Sequence, residues 1–216
     1  MKRIINIKNM NKLKKQNEIF KKIIPTLENG DFTDFNLDII LKEYSIKEAD
    51  FYYLFPYKTK SLCKYFLFNI ASKSIKSNVE KTKHEKSISK NIFSTLEQFI
   101  IALDKEKKIS FFFIDYLIRN PLLFKKFSYC LSNNIWQSIN DKSVDFNFYT
   151  KRLILSQILI NSIIHYKGSK SLKDTSNFIK IQIQALGKFG YYKSKIKGYL
   201  SSLTKSNFLS KFDFMH

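Results

Sequence analysis

Three histidines and two cysteines are the only imidazole and thiol groups in this 216-residue chain. His84 lies in a charged segment, His165 closes an apolar run and His216 ends the sequence. None stands at a metal-ligand or triad spacing from another donor. Cys63 and Cys130 sit in apolar surroundings with no CxxC or Cys/His spacing, which predicts buried free thiols in a reducing compartment. There is no glycine-rich phosphate loop and no repeated carboxylate-and-histidine pattern of the di-iron kind. The sequence therefore predicts no catalytic residue, no metal and no cofactor. One stretch is chemically dense: Asp145-Phe146-Asn147-Phe148-Tyr149-Thr150-Lys151-Arg152, with Ile135, Trp136 and Asp141 before it. Asp145 in a first helical turn complements the helix dipole, and Phe146 and Tyr149 at i, i+3 can both pack inward. A turn of about 100° per residue nevertheless spreads Phe146, Phe148 and Tyr149 over most of the circumference, so at least one faces solvent. An exposed aromatic beside an acid and an arginine has the composition of a protein-binding hot spot, which nominates Ile135, Asp145, Phe148, Tyr149 and Arg152 as a partner surface. The competing reading is a capped core helix with solvated cations.

These residues need elements to hold them, and composition points to helices. Only 5 Gly and 3 Pro leave little material for hairpins, while 44% apolar content is enough for a buried core. Periodicity predicts a first helix from Asn17 to about Leu27, closed by Asn29-Gly30, with Pro25 in its last turn. Thr33 is expected to open a short helix carrying Leu37, Ile40 and Leu41. Ser45 is expected to cap another that runs to Leu54, with Glu48 completing a capping box. Phe55-Pro56 breaks the chain before a long helix through Leu62, Tyr65, Phe66 and Ile70, an order that fits a helix-turn-helix head. Asn91 to about Leu103 is the clearest amphipathic stripe, and Phe111–Ile118 is apolar on nearly every side. Pro121 suits the first turn of a helix that ends near Asn140, a residue tolerant of the left-handed cap. Ser143 should cap the helix that follows, whose apolar residues from Leu153 to Ile164 surround it and predict central burial. Ser171 or Asp174 opens a penultimate helix that Gly187 or Gly190 ends, and a basic amphipathic helix closes the chain. Phe93, Leu96, Phe99, Ile100, Phe112, Phe127 and Leu159 supply more apolar surface than a small core needs, which predicts an elongated apolar cavity lined by part of this set.

The formal charge of +20 invites a nucleic-acid reading, yet Lys, Ile, Asn, Phe and Tyr dominate together, as A/T-rich coding would produce without selection for phosphate binding. The helix-turn-helix region argues further against it. Asp31, Asp34, Asp38, Glu43, Glu48 and Asp50 face Lys42, Lys47, Lys58 and Lys60, a net of 4 − 6 = −2 where a recognition helix needs cations. The excess lies instead between Asp174 and Asp213, a stretch with no acid and seven lysines. There Tyr192, Ile196, Tyr199, Leu200 and Leu203 share one helical face while Lys193, Lys195 and Lys197 begin the other, the layout of a helix lying on an anionic membrane. No apolar run reaches the roughly 18 residues needed to span a bilayer, and the N-terminus lacks the apolar core of a signal peptide.

The dense stretch resembles the signature D-x-x-x-D-F-N-W-Y-T-[KR]-R of the Coq-nine family, here Asp141, Asp145 and Phe146 to Arg152, with Trp136 nine residues before Asp145. The resemblance covers roughly residues 17–190, between a basic extension (1–16) and the C-terminal amphipathic helix (191–216). It departs at Phe148, where the family usually has Trp, and at Ile139-Asn140, which replace Ala-Gly. The resemblance implies a TetR-like fold that homodimerises and holds an isoprenoid lipid or ubiquinone intermediate. It further implies presentation of that lipid to the di-iron demethoxyubiquinone hydroxylase, the chain being an accessory and not the catalyst. The expected location is peripheral on the inner membrane of a bacterial cytoplasm, or on the matrix side in a mitochondrion. Two other readings share much of this pattern: a TetR-type regulator sensing a hydrophobic ligand, against which the acidic head counts, and a membrane-surface protein without specific cargo.

Overall fold

The computed structural model describes the backbone of residues 2–81, 87–141 and 145–185, and the side chains of 11–81, 87–141 and 148–185. Among these residues every regular element is a helix: α1 (Lys2–Asn29), α2 (Leu37–Glu43), α3 (Glu48–Leu54), α4 (Lys58–Lys81), α5 (Ile88–Lys105), α6 (Lys107–Arg119), α7 (Pro121–Ser138) and α8 (Asp145–Gly168). A further helical run, α9, covers residues 172–185. The class is the all-α one expected, consistent with a TetR-like fold. The helix expected from Asn17 begins at Lys2, since neither Gly nor Pro interrupts the chain before Pro25.

The core is aromatic. Phe20 of α1 stacks on Phe66 of α4 at 5.9 Å and on Phe113 of α6 at 6.3 Å, while Phe66 and Phe113 meet at 5.3 Å. Each such pair contributes roughly 0.5–1.5 kcal/mol beyond the area it buries, so this trio fastens three helices that are distant in sequence. A second aromatic step leads outward, Phe99 of α5 to Phe127 of α7 at 6.4 Å and Phe127 to Phe68 of α4 at 5.3 Å. The α5 stripe behaves as periodicity predicts: Ile92, Leu96, Phe99, Ile100 and Leu103 are buried, and Ser87 caps the helix by accepting from the Lys90 amide.

Three helix ends close in the same way. After α1, Gly30 takes φ +78°, the Gly30 amide donates to the Leu27 carbonyl and the Asp31 amide reaches back to Thr26. After α2, Ser45 takes φ +51°, with Ser45 donating to Lys42 and Ile46 to Leu41. After α7, Asn140 takes φ +55°, with Asn140 donating to Gln137 and Asp141 to Trp136. These are Schellman closures, in which a left-handed residue lets two amides satisfy the last free carbonyls.

The second of them overturns the capping box expected at Ser45. Ser45 ends α2 instead, and Lys47 precedes α3 in extended backbone without a side-chain cap bond. Burial explains the choice, because the closure places Ile46 over Leu41, both inside the core. The α2 start also moves: the Thr33 amide and hydroxyl both donate to Asn36 Oδ1 at 2.9 Å, holding a turn, so the helix begins at Leu37 and not at Thr33. On α8 the expected all-round burial is not met. Leu155, Ile158, Leu159 and Ile163 are buried, but Leu153 and Ile164 are exposed, leaving part of the helix uncovered. Ser171 caps α9, its hydroxyl accepting from the Asp174 amide at 3.1 Å.

Candidate functional site

The Asn140 closure delivers Asp141 to the start of α8. Its carboxylate accepts from Lys151 Nζ at 2.8 Å through one oxygen and from Arg152 Nη1 at 3.3 Å through the other. The Arg152 guanidinium is 1% exposed and the Asp141 side chain 6%, so this charge pair lies inside the protein. A buried charge is tolerated only when it is paired and hydrogen-bonded, and here the Arg152 Nε and Nη1 both are. Arg152 Nε donates to Asn133 Oδ1 at 2.8 Å, Nη1 also donates to the Phe148 carbonyl at 3.0 Å, and the guanidinium lies 3.4 Å from the centre of the Phe148 ring. Trp136 completes the arrangement. Its indole N–H donates to the Lys151 carbonyl at 3.2 Å and its ring sits 5.0 Å beneath the Lys151 ammonium. Ser132 donates to the Arg152 carbonyl at 2.9 Å. The charged part of the signature is thus a clamp between α7 and α8, the two helices packed most extensively on each other.

This placement divides the expected partner surface. Ile135 and Arg152 are buried and support the surface from within. Phe148 is half-buried under the guanidinium, and Tyr149, in edge contact with it at 5.2 Å, stands exposed. The side chain of Asp145 and residue Ser143 lie outside what the structure describes, as do Tyr192, Lys193, Lys195, Ile196, Lys197, Tyr199, Leu200 and Leu203 of the expected membrane helix and the glycines expected to end α9.

Of the residues expected to line a cavity, Leu96, Phe99, Ile100, Phe127 and Leu159 are buried in the common core, while Phe93 and Phe112 pack half-buried against it. Phe127 also borders a groove of about 960 Å³ on the outer side of α4, α7 and α8, together with Phe68, Leu122, Leu123, Leu153 and Ile160. Ile100 borders a smaller hollow of about 220 Å³ beside α9. Apart from Phe127, the groove residues were not singled out from sequence as a cavity lining. The available signal was the apolar surplus on α8, an uncovered face that periodicity alone reads as burial.

Cys63 is buried as expected, and burial pushes its thiol up to about 12. Cys130 is exposed, contrary to expectation, because it lines the open groove between α4, α7 and α8 instead of the core. Among the described residues no group of His, Cys, Asp and Glu could hold a metal ion, and no helix is long and apolar enough to cross a membrane.

A comparison with protein families matches residues 125–190 to the family model described as COQ9. The matched span contains most of α7, all of α8 and with them the whole clamp. Comparisons with curated proteins and with solved structures find no match.

Proposed function

We propose, from the similarity of residues 125–190 to the COQ9 family model, that the protein is an accessory of ubiquinone biosynthesis that binds an isoprenoid lipid or quinone intermediate and presents it to a di-iron demethoxyubiquinone hydroxylase. The observation that carries the lipid reading is the groove of about 960 Å³, whose walls include Phe68, Leu122 and Leu123 and, within the matched span, Phe127, Leu153 and Ile160. Its volume is that of a site for a drug-sized or larger ligand. Phe127 connects it to Phe99 and the buried set behind it, so the tail of the lipid lies along Phe127 and the polar end lies outward. The partner docks on Tyr149 and its neighbours at the start of α8, which the clamp holds rigid. The protein works as a homodimer at the membrane surface, with the basic segment 191–216 on an anionic leaflet. In that role it is an accessory that delivers the lipid, and the chemistry belongs to the hydroxylase.

Organic extraction of the purified protein followed by mass spectrometry tests the lipid reading. An isoprenoid or quinone species near one per chain is the expected result; a lipid-free extract from protein purified without detergent refutes it. Flotation with vesicles tests the membrane role. Binding that is equal on neutral and anionic vesicles, or unaltered by deletion of 191–216, removes it.

A further inference from the structure

Two adjoining hollows run along the outer side of α4 and α7. The larger is the groove just described, and it is also lined by Lys60 and Lys64, one turn apart on α4, and by Lys125 and Lys126 on α7. The smaller, about 300 Å³, shares Lys60, Leu122 and Leu123 with it and adds Arg119 and Asn120. No carboxylate lines either hollow. Among the described residues none of these five cations is ion-paired, and Lys60 only faces the Tyr57 ring at 5.3 Å. Asp34, whose charge reaches Tyr116 at the wall of the smaller hollow, is held by Thr59 through its amide and hydroxyl.

Such a site combines two demands. Its apolar walls, with Leu122 at 76% and Leu153 at 58% exposure, lose free energy while wet. Its unpaired cations repel one another until an anion enters. Inorganic phosphate satisfies only the second demand and a neutral hydrocarbon only the first. A second copy of this chain, at +20, brings like charge. We infer that the joined hollows bind a single-chain amphiphile with an anionic head, its tail along Phe68, Phe127 and Leu153 and its head where Lys60 and Arg119 meet. The inference rests on the lipid-binding reading above and adds to it the charge of the head group.

Cys130 provides the readout. It lines the larger hollow and is exposed, whereas Cys63 is buried with its thiol held neutral, so a neutral alkylating reagent such as N-ethylmaleimide reports on Cys130 alone. The rate of alkylation of the full chain is measured against dodecyl phosphate, dodecanoate, dodecanol and inorganic phosphate. Both anionic amphiphiles should protect Cys130 saturably, about tenfold or more tighter than dodecanol, and each added methylene should tighten binding roughly fourfold. Lys60→Gln with Arg119→Gln, both at exposed positions, should erase the preference for the anionic heads while leaving dodecanol binding unchanged. Equal protection by dodecanol keeps the lipid reading and overturns the anionic head. Protection by phosphate alone at matching concentration marks a plain anion site and overturns the inference. Protection that appears on raising protein concentration without any amphiphile means that a second copy covers the groove, and also overturns it. No protection by any probe, with an isoprenoid still found in the organic extract, places the lipid elsewhere and overturns only the inference.

Discussion

At Asp141 two cations converge on one carboxylate, and they are not equivalent. Arg152 is enclosed, with Asn133, the Phe148 carbonyl and the Phe148 ring as its other neighbours, whereas the Lys151 side chain is 38% exposed over the Trp136 ring. Removing the carboxylate strands a buried guanidinium, which costs about 3–5 kcal/mol, while an ion pair to a partly exposed lysine is worth about 1 kcal/mol or less. Asp141→Asn is therefore expected to lower the unfolding free energy in urea by about 3 kcal/mol or more, and Lys151→Met by about 1 kcal/mol or less. Equal losses for the two would show that the cluster acts as a solvated surface network and not as an internal clamp.

Among the elements, the junction of α7 and α8 carries the most consequence. Asn140 stands in left-handed backbone at φ +55°, which turns the Asp141 amide back onto Trp136 and so aims the carboxylate at α8. The left-handed region costs a typical L-residue about 1–2 kcal/mol, less for Asn and nothing for Gly. Asn140→Gly should leave the melting temperature unchanged or raise it, and Asn140→Val should lower stability by about 1–2 kcal/mol, as calorimetry would register. A tolerated valine would mean that the closure is not needed. The same junction sets the proposed docking face. Because Tyr149 is exposed and only touches Phe148, Tyr149→Ala should weaken the hydroxylase complex by about 2 kcal/mol or more with helicity retained. Unchanged affinity in titration calorimetry would remove Tyr149 from the interface.

For the molecule as a whole, the buried titratable groups set an alkaline limit. Burial raises the Cys63 thiol from 9.0 to about 12, and it raises the phenols of Tyr65 and Tyr116 above their ordinary 10.0. Tyr166 moves the same way, through burial first and then its hydrogen bond to Asp104. These groups ionise more readily in the unfolded chain, so the folded state binds more protons at high pH and stability falls as pH rises. The stabilisation is complete below about pH 9 and is lost progressively above it, thiol first and phenols after. Scanning calorimetry should give a melting temperature that is level from pH 7 to pH 8.5 and declines beyond about pH 9. Cys63→Val should blunt the earliest part of that decline. A level profile up to pH 11 would show that these groups are solvated when the protein folds.

Much of this protein is written locally in its sequence. The shortage of Gly and Pro, the 3.6-residue stripes of α5 and the Pro121 start of α7 depend on neighbours within a turn or two, and each appears in the structure as read. Asn140 is local in the same sense, since a left-handed residue is chosen by its own side chain. Ser45 shows where local reading stops: two helix ends compete for one residue, and burial of Ile46 over Leu41 decides between them. The signature was legible as dense chemistry, but whether Arg152 faces a partner or the interior was decided by the approach of Asn133 from α7 and of Asp141 from the turn that follows it. The groove was equally out of reach. An apolar face on α8 looks the same in sequence whether a neighbour covers it or not, and only the packing of α4 and α7 left Leu153 open with Lys60 and Lys64 across from it. Secondary structure follows from interactions along the chain, whereas a cavity is defined by where other helices are absent, which no single segment encodes.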